Sequence, residues 1–344
     1  TTASVPIGGK YRIIDFDLSN MSNSGISNVG IVAKSNFQSL MDHVGSGSAY
    51  DLSKRRSNLS ILPPYDGKAF SSFVETIYNM HGYIEHCREE YVLISQGNVI
   101  TNIDYTDVFD FHSKKKADIT LIYKNHAIPQ GYDRPITLDV DNDGKVNQIF
   151  VKPGVVDKGV FNHAYGSILI KKDLLMSEIR NAISVNQLDV RRLIQSSLGK
   201  YSIYAYENKG YCAAISSIND YFEFNMDLMK KEVRDELFNP QRPIYTKVRD
   251  DAPSRYGLTS NVKNSIIAQG CVINGDVENC VISKGVYVGE GAKLSNCIVM
   301  QDTKIGCNTN LNYVIIDKDV TIKDGRSLMG YDSYPIYIAK KSVV

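Results

Sequence analysis

The sequence lacks several features that would each assign it to a class of protein. Its 344 residues contain no apolar run approaching the roughly 20 residues that a membrane-spanning helix needs. It opens as TTASVPIGGK, without an initiator Met or a signal peptide, so we expect a cytoplasmic protein whose natural N-terminus lies upstream. None of the six cysteines belongs to a C-x-x-C pair, which argues for free buried thiols rather than a zinc site. Lys and Arg total 39 against 38 Asp and Glu, so charge gives no reason to expect a nucleic-acid partner.

The last quarter of the chain contains an internal repeat. Four similar segments begin 15, 17 and 17 residues apart, at Val262, Val277, Leu294 and Leu311. A second aliphatic column keeps the same spacings, at Ile273, Val288, Ile305 and Ile322. This spacing matches three short strands per coil, with aliphatic side chains inside and turns at Gly, Asn or Asp. It predicts a left-handed parallel β-helix of about four coils, because a β-sandwich would not keep fixed spacing in two independent columns.

The repeat is interpreted as a structural element rather than a catalytic one. Asn264, Asn279 and Asn296 recur at one position of the coil and are interpreted as turn residues stacked in a ladder. Solenoids of this type often carry acyltransferase activity, which needs a histidine between coils, but residues 258–344 contain none. The six histidines of the chain show no metal-ligand spacing, and His163 is interpreted as a surface residue.

Residues 1–225 alternate strand and helix signals, which is typical of an α/β domain. The segments 25–34, 91–97 and 117–124 are predicted to be buried strands, with a helix between the second and the third. We expect a mostly parallel, Rossmann-like sheet, together with a hairpin over 136–152.

A Pro-rich, polar stretch over 239–257 is predicted to be a linker. The predicted domains are therefore 1–238 and 258–344. In doubly wound sheets, ligands bind where the strands end at their carboxyl edge. Here that edge would contain the end of segment 91–97, the loop at 150–154 and the region near residue 165.

Several motifs resemble those of the ADP-glucose pyrophosphorylases, also called glucose-1-phosphate adenylyltransferases. They are GGKYRIIDFDLSN (8–20), NSGISNVGIVAK (23–34), FVKP (150–153), YFEFNMDLM (221–229) and RPIYTKV (242–248). The resemblance covers essentially the whole chain in order. It implies a nucleotidyltransferase-like front domain before the β-helix. It also implies a reaction that joins ATP and glucose 1-phosphate into ADP-glucose and pyrophosphate, with magnesium.

The residues that the family uses for catalysis are changed in this chain. Asn98 stands where the family has its first metal-binding aspartate, and Ala214 stands where it has the second. The family's Glu-Lys-Pro triplet reads Val151-Lys152-Pro153, so the lysine is kept and its carboxylate neighbour is lost. The glycine-rich loop that precedes the GGKYR motif in the family either lies upstream of the chain or has no functional form.

These substitutions predict a catalytically impaired chain that binds no metal, because alanine has no oxygen ligand and asparagine carries no charge. The resemblance implies that Lys152, Lys10 and Arg12 bind phosphate groups of a substrate or an effector. The chain resembles the non-catalytic regulatory subunit of Gram-positive bacteria. That likeness implies a catalytic homologous subunit as partner, in a mixed tetramer, and a sugar-phosphate or nucleotide effector. Two alternatives stay open, an active adenylyltransferase in its own right and a sugar-phosphate-binding scaffold.

Overall fold

The computed structural model describes residues 2–33, 37–53, 58–63, 72–127, 135–151, 159–248 and 250–344. The chain divides into two compact units. The first comprises Thr1–Ala3, Phe16–Ala214 and Gln241–Tyr245, and the second comprises Ser4–Asp15, Ile215–Pro240 and Thr246–Val344. The second unit therefore takes two segments from the predicted front domain, and the boundaries drawn at 238 and 258 stay predictions.

The helices and the front strands follow one another along the first 240 residues. The helices are α1 (Ile13–Asn23), α2 (Gln38–Val44), α3 (Phe73–Asn79), α4 (His81–His86), α5 (Tyr105–Lys115), α6 (Lys172–Ser184), α7 (Val190–Ser196), α8 (Ile218–Asp227) and α9 (Lys231–Leu237). The strands are β1 (Pro6–Ile7), β2 (Tyr11–Arg12), β3 (Asn28–Val32), β4 (Asn58–Leu62), β5 (Tyr91–Ile94), β6 (Val99–Thr101), β7 (Ile119–Ala127), β8 (Ile136–Val140), β9 (Val146–Val151), β10 (Val160–Lys171), β11 (Ile203–Glu207) and β12 (Cys212–Ala214). Among the described helices, none combines the length and the apolar composition that crossing a membrane requires.

The main sheet of the first unit has the order β11-β7-β10-β8-β9, with β5 paired to β10. Only β11 and β7 run parallel in it, whereas β10 is antiparallel to β5, β7 and β8. The expectation of a mostly parallel sheet is therefore wrong for this described sheet, because the apolar pattern of a buried strand does not encode its direction. The predicted helix α5 and the predicted hairpin β8–β9 are confirmed.

The core of the first unit lies between this sheet and its helices. Helix α6 contributes an apolar stripe of Leu175, Met176, Ile179 and Ala182, spaced as one face of an α-helix. These side chains belong to the same buried cluster as the sheet residues Ile119 and Leu121 and the α3 residue Val74. Burial of one large aliphatic side chain stabilises a fold by roughly 1.5–3 kcal/mol. Packing within this cluster therefore stabilises the sheet against its helices.

The second unit contains a parallel β-solenoid built from three five-stranded sheets. Its strands are β13 (Arg255–Tyr256), β14 (Asn261–Lys263), β15 (Ile266–Ile267), β16 (Val272–Ile273), β17 (Asp276–Glu278), β18 (Val281–Ile282), β19 (Tyr287–Val288), β20 (Lys293–Ser295), β21 (Ile298–Val299), β22 (Lys304–Ile305), β23 (Asn310–Asn312), β24 (Val314–Ile316), β25 (Thr321–Ile322), β26 (Ser327–Met329) and β27 (Ile336–Ile338). Three sheets of stacked parallel strands fit the predicted left-handed β-helix. The coil number is five rather than four, since each sheet has five strands, and the first strand of the first coil, β13, lies in the stretch predicted as linker.

Both predicted features of the coil are confirmed. The second aliphatic column pairs in register from coil to coil, and its members Ile273, Val288, Ile305 and Ile322 are buried. The asparagine column turns the chain through the left-handed region, with φ of 39°, 51° and 50° at Asn264, Asn279 and Asn296. Within it, Asn264 Nδ2 donates a hydrogen bond of 2.6 Å to Asn279 Oδ1. Asparagine suits this position because it tolerates positive φ better than most residues.

One outer face of the solenoid is also aliphatic. Val281, Ile298 and Ile315 align across three coils outside the inner core, yet each is only 1% exposed. Residue 9 of the same unit comes close to the neighbouring Ile282: Gly9 has a φ of +73°, and a Cβ atom there would lie 3.2 Å from the Ile282 carbonyl oxygen. The low exposure of the outer column indicates that a second layer covers it, and residues 4–15 and 215–240 are the other segments of this unit.

Candidate functional site

The two positions predicted to replace the family's metal ligands lie close together after β5. A turn after this strand, closed by the hydrogen bond from Val99 N to Gln96 O (3.2 Å), carries Asn98 and leads into β6. Strand β6 runs antiparallel to β12, and Ala214 pairs directly with Val99. Asn98 and Ala214 therefore lie within one residue of each other in the register of this two-stranded sheet.

The surroundings of this pair are apolar. Val99, Tyr165, Ala214 and Cys212 pack in one small cluster. Burial raises the pKa of the Cys212 thiol to about 12, so the sulfur is not a thiolate at neutral pH. Magnesium prefers carboxylate and water oxygens, and this pair of positions offers only one amide oxygen. The residues present do not fit a magnesium ion, and no group of three His, Cys, Asp or Glu side chains suited to a metal occurs among the residues that the structure describes.

Asp17 is a buried carboxyl group near the same strand that the sequence analysis did not single out. The hydroxyl of Ser95, the first residue after β5, donates a 2.7 Å hydrogen bond to Asp17 Oδ1. Burial raises the pKa of Asp17 to about 7, and the bond from Ser95 offsets only part of that rise. A single buried carboxyl group does not replace the two carboxylates that the family uses as metal ligands. The available signal was the run RIIDFDL, in which apolar residues surround Asp17 on a helix.

His163, His126 and Tyr165 form a cluster on the neighbouring strands β7 and β10. The Tyr165 hydroxyl lies 2.5 Å from His126 Nε2, and the ring centroids of His163 and Tyr165 are 4.4 Å apart. Burial and, second, the nearby His126 lower the pKa of His163 to about 3, so this ring is neutral. The interpretation of His163 as a surface residue is wrong, because its strand turns this side chain inward and leaves it 1% exposed.

The remaining residue predicted at the carboxyl edge of the sheet is Lys152, from the triplet Val151-Lys152-Pro153. Val151 ends strand β9, where it pairs with Ile136 of β8. Lys152 lies outside the described residues. Val151 therefore lies on the sheet, and both the lost carboxylate at this position and the role of Lys152 stay predictions.

Lys10 belongs to the second unit and lines a cavity there. This cavity has a volume of about 230 Å³ and is lined by Lys10, Val248, Asp250, Asp251, Gln269 and Lys284. Lys284 Nζ lies 3.2 Å from Asp251 Oδ2, whereas Lys10 is exposed and its ammonium lies 5.4 Å from the centre of the Tyr11 ring. The two lysines provide donors for an anionic group, but the two aspartates of the lining balance their formal charge, so such a group would compete with Asp251 for Lys284.

Arg12, the third predicted phosphate ligand, lies on β2, and its charge affects the pKa of the solenoid residue Lys318. Burial lowers the pKa of Lys318, and the positive charge of Arg12 lowers it further. Lys284 and Lys318 were not predicted from the sequence. Their signal is a fourth column with the same 15, 17 and 17 spacings as the inner columns, formed by Gln269, Lys284, Gln301 and Lys318. This column places Gln301 between the two lysines on the coils of the solenoid.

Comparison with known proteins identifies relatives of both parts of the chain. Residues 1–231 match the model of the nucleotidyl transferase family, and residues 247–334 match the GlmU-like C-terminal hexapeptide family. The chain is 33% identical over 341 residues to the glycogen biosynthesis protein GlgD of Bacillus subtilis, with 98% of this chain and 89% of that protein covered.

Two similar relatives carry the name of an enzyme. The glucose-1-phosphate adenylyltransferase of Clostridium acetobutylicum is 33% identical over 296 residues, which cover 83% of this chain and 77% of that protein. The glucose-1-phosphate adenylyltransferase of Bacillus cytotoxicus is 32% identical over 336 residues, which cover 94% of this chain and 87% of that protein. These matches confirm the resemblance drawn from the motifs: the chain belongs to the nucleotidyl transferase family and, within it, to the glucose-1-phosphate adenylyltransferases and their relative GlgD.

Proposed function

We propose that this chain is a catalytically impaired, regulatory subunit of a cytoplasmic glucose-1-phosphate adenylyltransferase in glycogen biosynthesis. The observation that carries the proposal is that Ala214 pairs with Val99, the residue directly after Asn98, in the two-stranded sheet that follows β5. Both metal carboxylates of the family are replaced at the point where they would have to act together. Without them the chain lacks the charge that orients phosphates and neutralises the transition state of nucleotidyl transfer.

The regulatory part of the proposal is supported by the cations of the second unit. Lys10 lines a cavity together with Lys284, and Arg12 raises the positive potential around the half-buried Lys318. A sugar-phosphate or nucleotide effector would place its phosphate at such cations. Its binding would change the activity of a catalytic homologous subunit in a mixed oligomer, which we propose to be a tetramer.

The decisive experiment measures ADP-glucose formation from ATP and glucose 1-phosphate with magnesium. We expect the purified chain alone to be inactive or nearly so, and the double variant Asn98→Asp/Ala214→Asp to gain metal-dependent activity if the rest of the site is intact. Asn98→Gln/Ala214→Ser is the matched control, because it changes the same positions without adding charge. Turnover by the unmodified chain comparable to that of a catalytic homologue would overturn the proposal and favour an active adenylyltransferase.

A sugar-phosphate-binding scaffold is the second candidate function, favoured by the same two-lysine cavity. Calorimetry with glucose 1-phosphate and ADP-glucose, compared between the unmodified chain and Lys10→Ala, measures binding directly. Binding that leaves the activity of a catalytic homologue unchanged would favour the scaffold. Binding that changes this activity would favour the regulatory subunit.

A further inference from the structure

The last coil of the solenoid contains an insertion that the proposed function does not use. Ile298 pairs with Ile315 at a spacing of 17 residues, but Ile315 pairs with Tyr337 at a spacing of 22. The extra residues lie in the segment 330–335, GYDSYP. Insertions into solenoid coils form loops on one face, and that face is often the one that binds a ligand.

The inserted segment is a tight hairpin that displays two tyrosines. Tyr331 N donates to Tyr334 O (3.2 Å) and Tyr334 N donates to Tyr331 O (3.0 Å), so the two residues form a hydrogen-bonded antiparallel pair. Side chains of such a pair project from the same face, with Cβ atoms about 5 Å apart. Tyr331 is 73% exposed and Tyr334 is 78% exposed. We call residues 330–335 the tyrosine hairpin.

The hairpin is held in place from both sides. Asn219 Nδ2 of helix α8 donates to Ser333 O at the tip (3.1 Å), and Gly330 N donates to Asn312 O at the base (2.8 Å). A Cβ atom at Gly330 would lie 2.4 Å from the Tyr313 carbonyl oxygen, so the base fits closely against the preceding coil. Two exposed rings on a fixed backbone lose little conformational entropy on binding.

We propose that the tyrosine hairpin binds a linear α-1,4-glucan chain. The C–H groups of a glucose ring form an apolar face that stacks on an aromatic ring, and neighbouring Tyr331 and Tyr334 offer two such rings. Asp332 and Ser333 at the exposed tip provide a carboxylate and a hydroxyl to hydrogen-bond sugar hydroxyl groups. The choice of a glucan rests on the proposed place of the chain in glycogen biosynthesis.

The surface fits a neutral sugar better than the other possible occupants. The segment 330–335 contains no Lys or Arg, so it has no cation for a phosphate group. Two tyrosine rings expose roughly 300 Å² in total; the hairpin alone is therefore smaller than the roughly 800 Å² per partner that a stable protein interface buries, and such an interface would have to include the exposed neighbours Met329 and Tyr337. One or two stacked glucose units need only the area of the two rings.

Electrophoresis of the full chain in native gels with and without glycogen, together with calorimetry with maltoheptaose, tests this proposal. We expect glycogen to retard the protein and Tyr331→Ala/Tyr334→Ala to bind maltoheptaose at least about tenfold more weakly. Tyr331→Phe/Tyr334→Phe should keep most of the affinity, because the ring rather than the hydroxyl stacks. Tyr287→Ala, which removes a single exposed tyrosine from another face of the solenoid, is the matched control and should bind as the unmodified chain does.

Several outcomes would overturn the proposal. The proposal fails if glycogen leaves the mobility of the unmodified chain unchanged, or if the double alanine variant binds maltoheptaose as tightly as the control does. Loss of assembly with a catalytic homologue in the double alanine variant, with glucan binding unchanged, would identify the hairpin as a subunit contact instead. Because the glucan assay contains neither ATP nor a second subunit, its failure is distinguishable from failure of the regulatory function.

Discussion

At the scale of single residues, burial of Asp17 predicts how stability depends on pH. Its folded-state pKa of about 7 lies above the ordinary value of 3.8, so the folded protein binds a proton between about pH 4 and pH 7 that the unfolded chain releases. Stability from this group is therefore fully present below about pH 4 and is lost as the pH rises to about 7. At about 1.4 kcal/mol per pKa unit, the loss amounts to a few kcal/mol.

We expect Asp17→Asn to remove this dependence, because the amide keeps an oxygen to accept the Ser95 hydrogen bond and carries no charge. Asp17→Asn should therefore raise the free energy of unfolding relative to the unmodified chain, and this increase should be a few kcal/mol larger at pH 8 than at pH 4. Urea titration of both proteins at the two pH values measures it. Asp110→Asn, which changes an exposed carboxylate on α5, is the control and should show no such difference. Equal effects of Asp17→Asn at both pH values would contradict the assignment.

A second single-residue prediction concerns Gly166, at the bulge of β10 beside the candidate site. Its φ is +83°, and a Cβ atom there would lie 2.1 Å from Gln96 Nε2. Gly199 has a similar φ of +80° but nothing within 4 Å, so Gly199→Ala measures the backbone strain alone. We expect Gly199→Ala to destabilise by about 1 kcal/mol and Gly166→Ala by more, in urea titration. Adding Gln96→Ala should recover the excess, and equal costs for the two single variants would contradict this account.

At the scale of elements, the aliphatic outer face of the solenoid predicts that truncating one of its buried side chains destabilises the protein much more than truncating an exposed side chain on another face. Ile298 is 1% exposed on one outer face, whereas Lys304 lies exposed on another. We expect Ile298→Ala to lower the free energy of unfolding by about 2–4 kcal/mol, because it leaves a cavity under the covering segments. Lys304→Ala should change it by less than about 0.5 kcal/mol. Similar small effects of both variants, measured by urea titration of the second unit's transition, would show that the outer column is not a core.

The elements that sequence predicts are those whose pattern is local or periodic. The inner columns and the asparagine turns follow from fixed spacing, because each coil repeats the same contacts. The outer column Ile266, Val281, Ile298 and Ile315 has the same spacing, but periodicity cannot say that a second layer covers it. Strand direction in the front sheet is set by tertiary connections, so apolar runs predict the strands and not their mixed pairing.

The candidate site shows the same limit. The resemblance predicts Asn98 and Ala214 as changed metal positions, which stays a prediction, and the structure pairs Ala214 with Val99, the residue after Asn98. Asp17 was not predicted and His163 was wrongly interpreted as a surface residue, because their burial depends on which faces of α1 and β10 turn inward. The aliphatic neighbours of Asp17 are visible in the sequence, but a pKa of about 7 arises only from loss of water around the folded helix.

At the scale of the whole molecule, the four cations proposed to bind an effector and the two positions predicted to replace metal ligands lie in different units. The cations Lys10, Arg12, Lys284 and Lys318 lie in the unit that contains the solenoid, and the degenerate metal positions lie in the other unit. The two sets share no residue, so the proposed loss of the metal carboxylates would leave these cations in place. Under the proposed function, a catalytically impaired chain would therefore keep groups that can bind an anionic effector.

This division predicts how the chain behaves with a catalytic homologue from the same cell. We expect the two chains to co-purify as a mixed oligomer of tetramer mass by light scattering, and the mixture to differ from the catalytic chain alone in its response to sugar phosphates. Lys10→Ala/Lys284→Ala should assemble normally but lose most of this response, because it removes both cationic groups of the cavity. Lys114→Ala/Lys115→Ala removes the same charge from helix α5 of the other unit and should leave the response unchanged. A chain that forms only homo-oligomers in its own cell would exclude the regulatory function, whereas a normal response from Lys10→Ala/Lys284→Ala would exclude this cavity as the effector site.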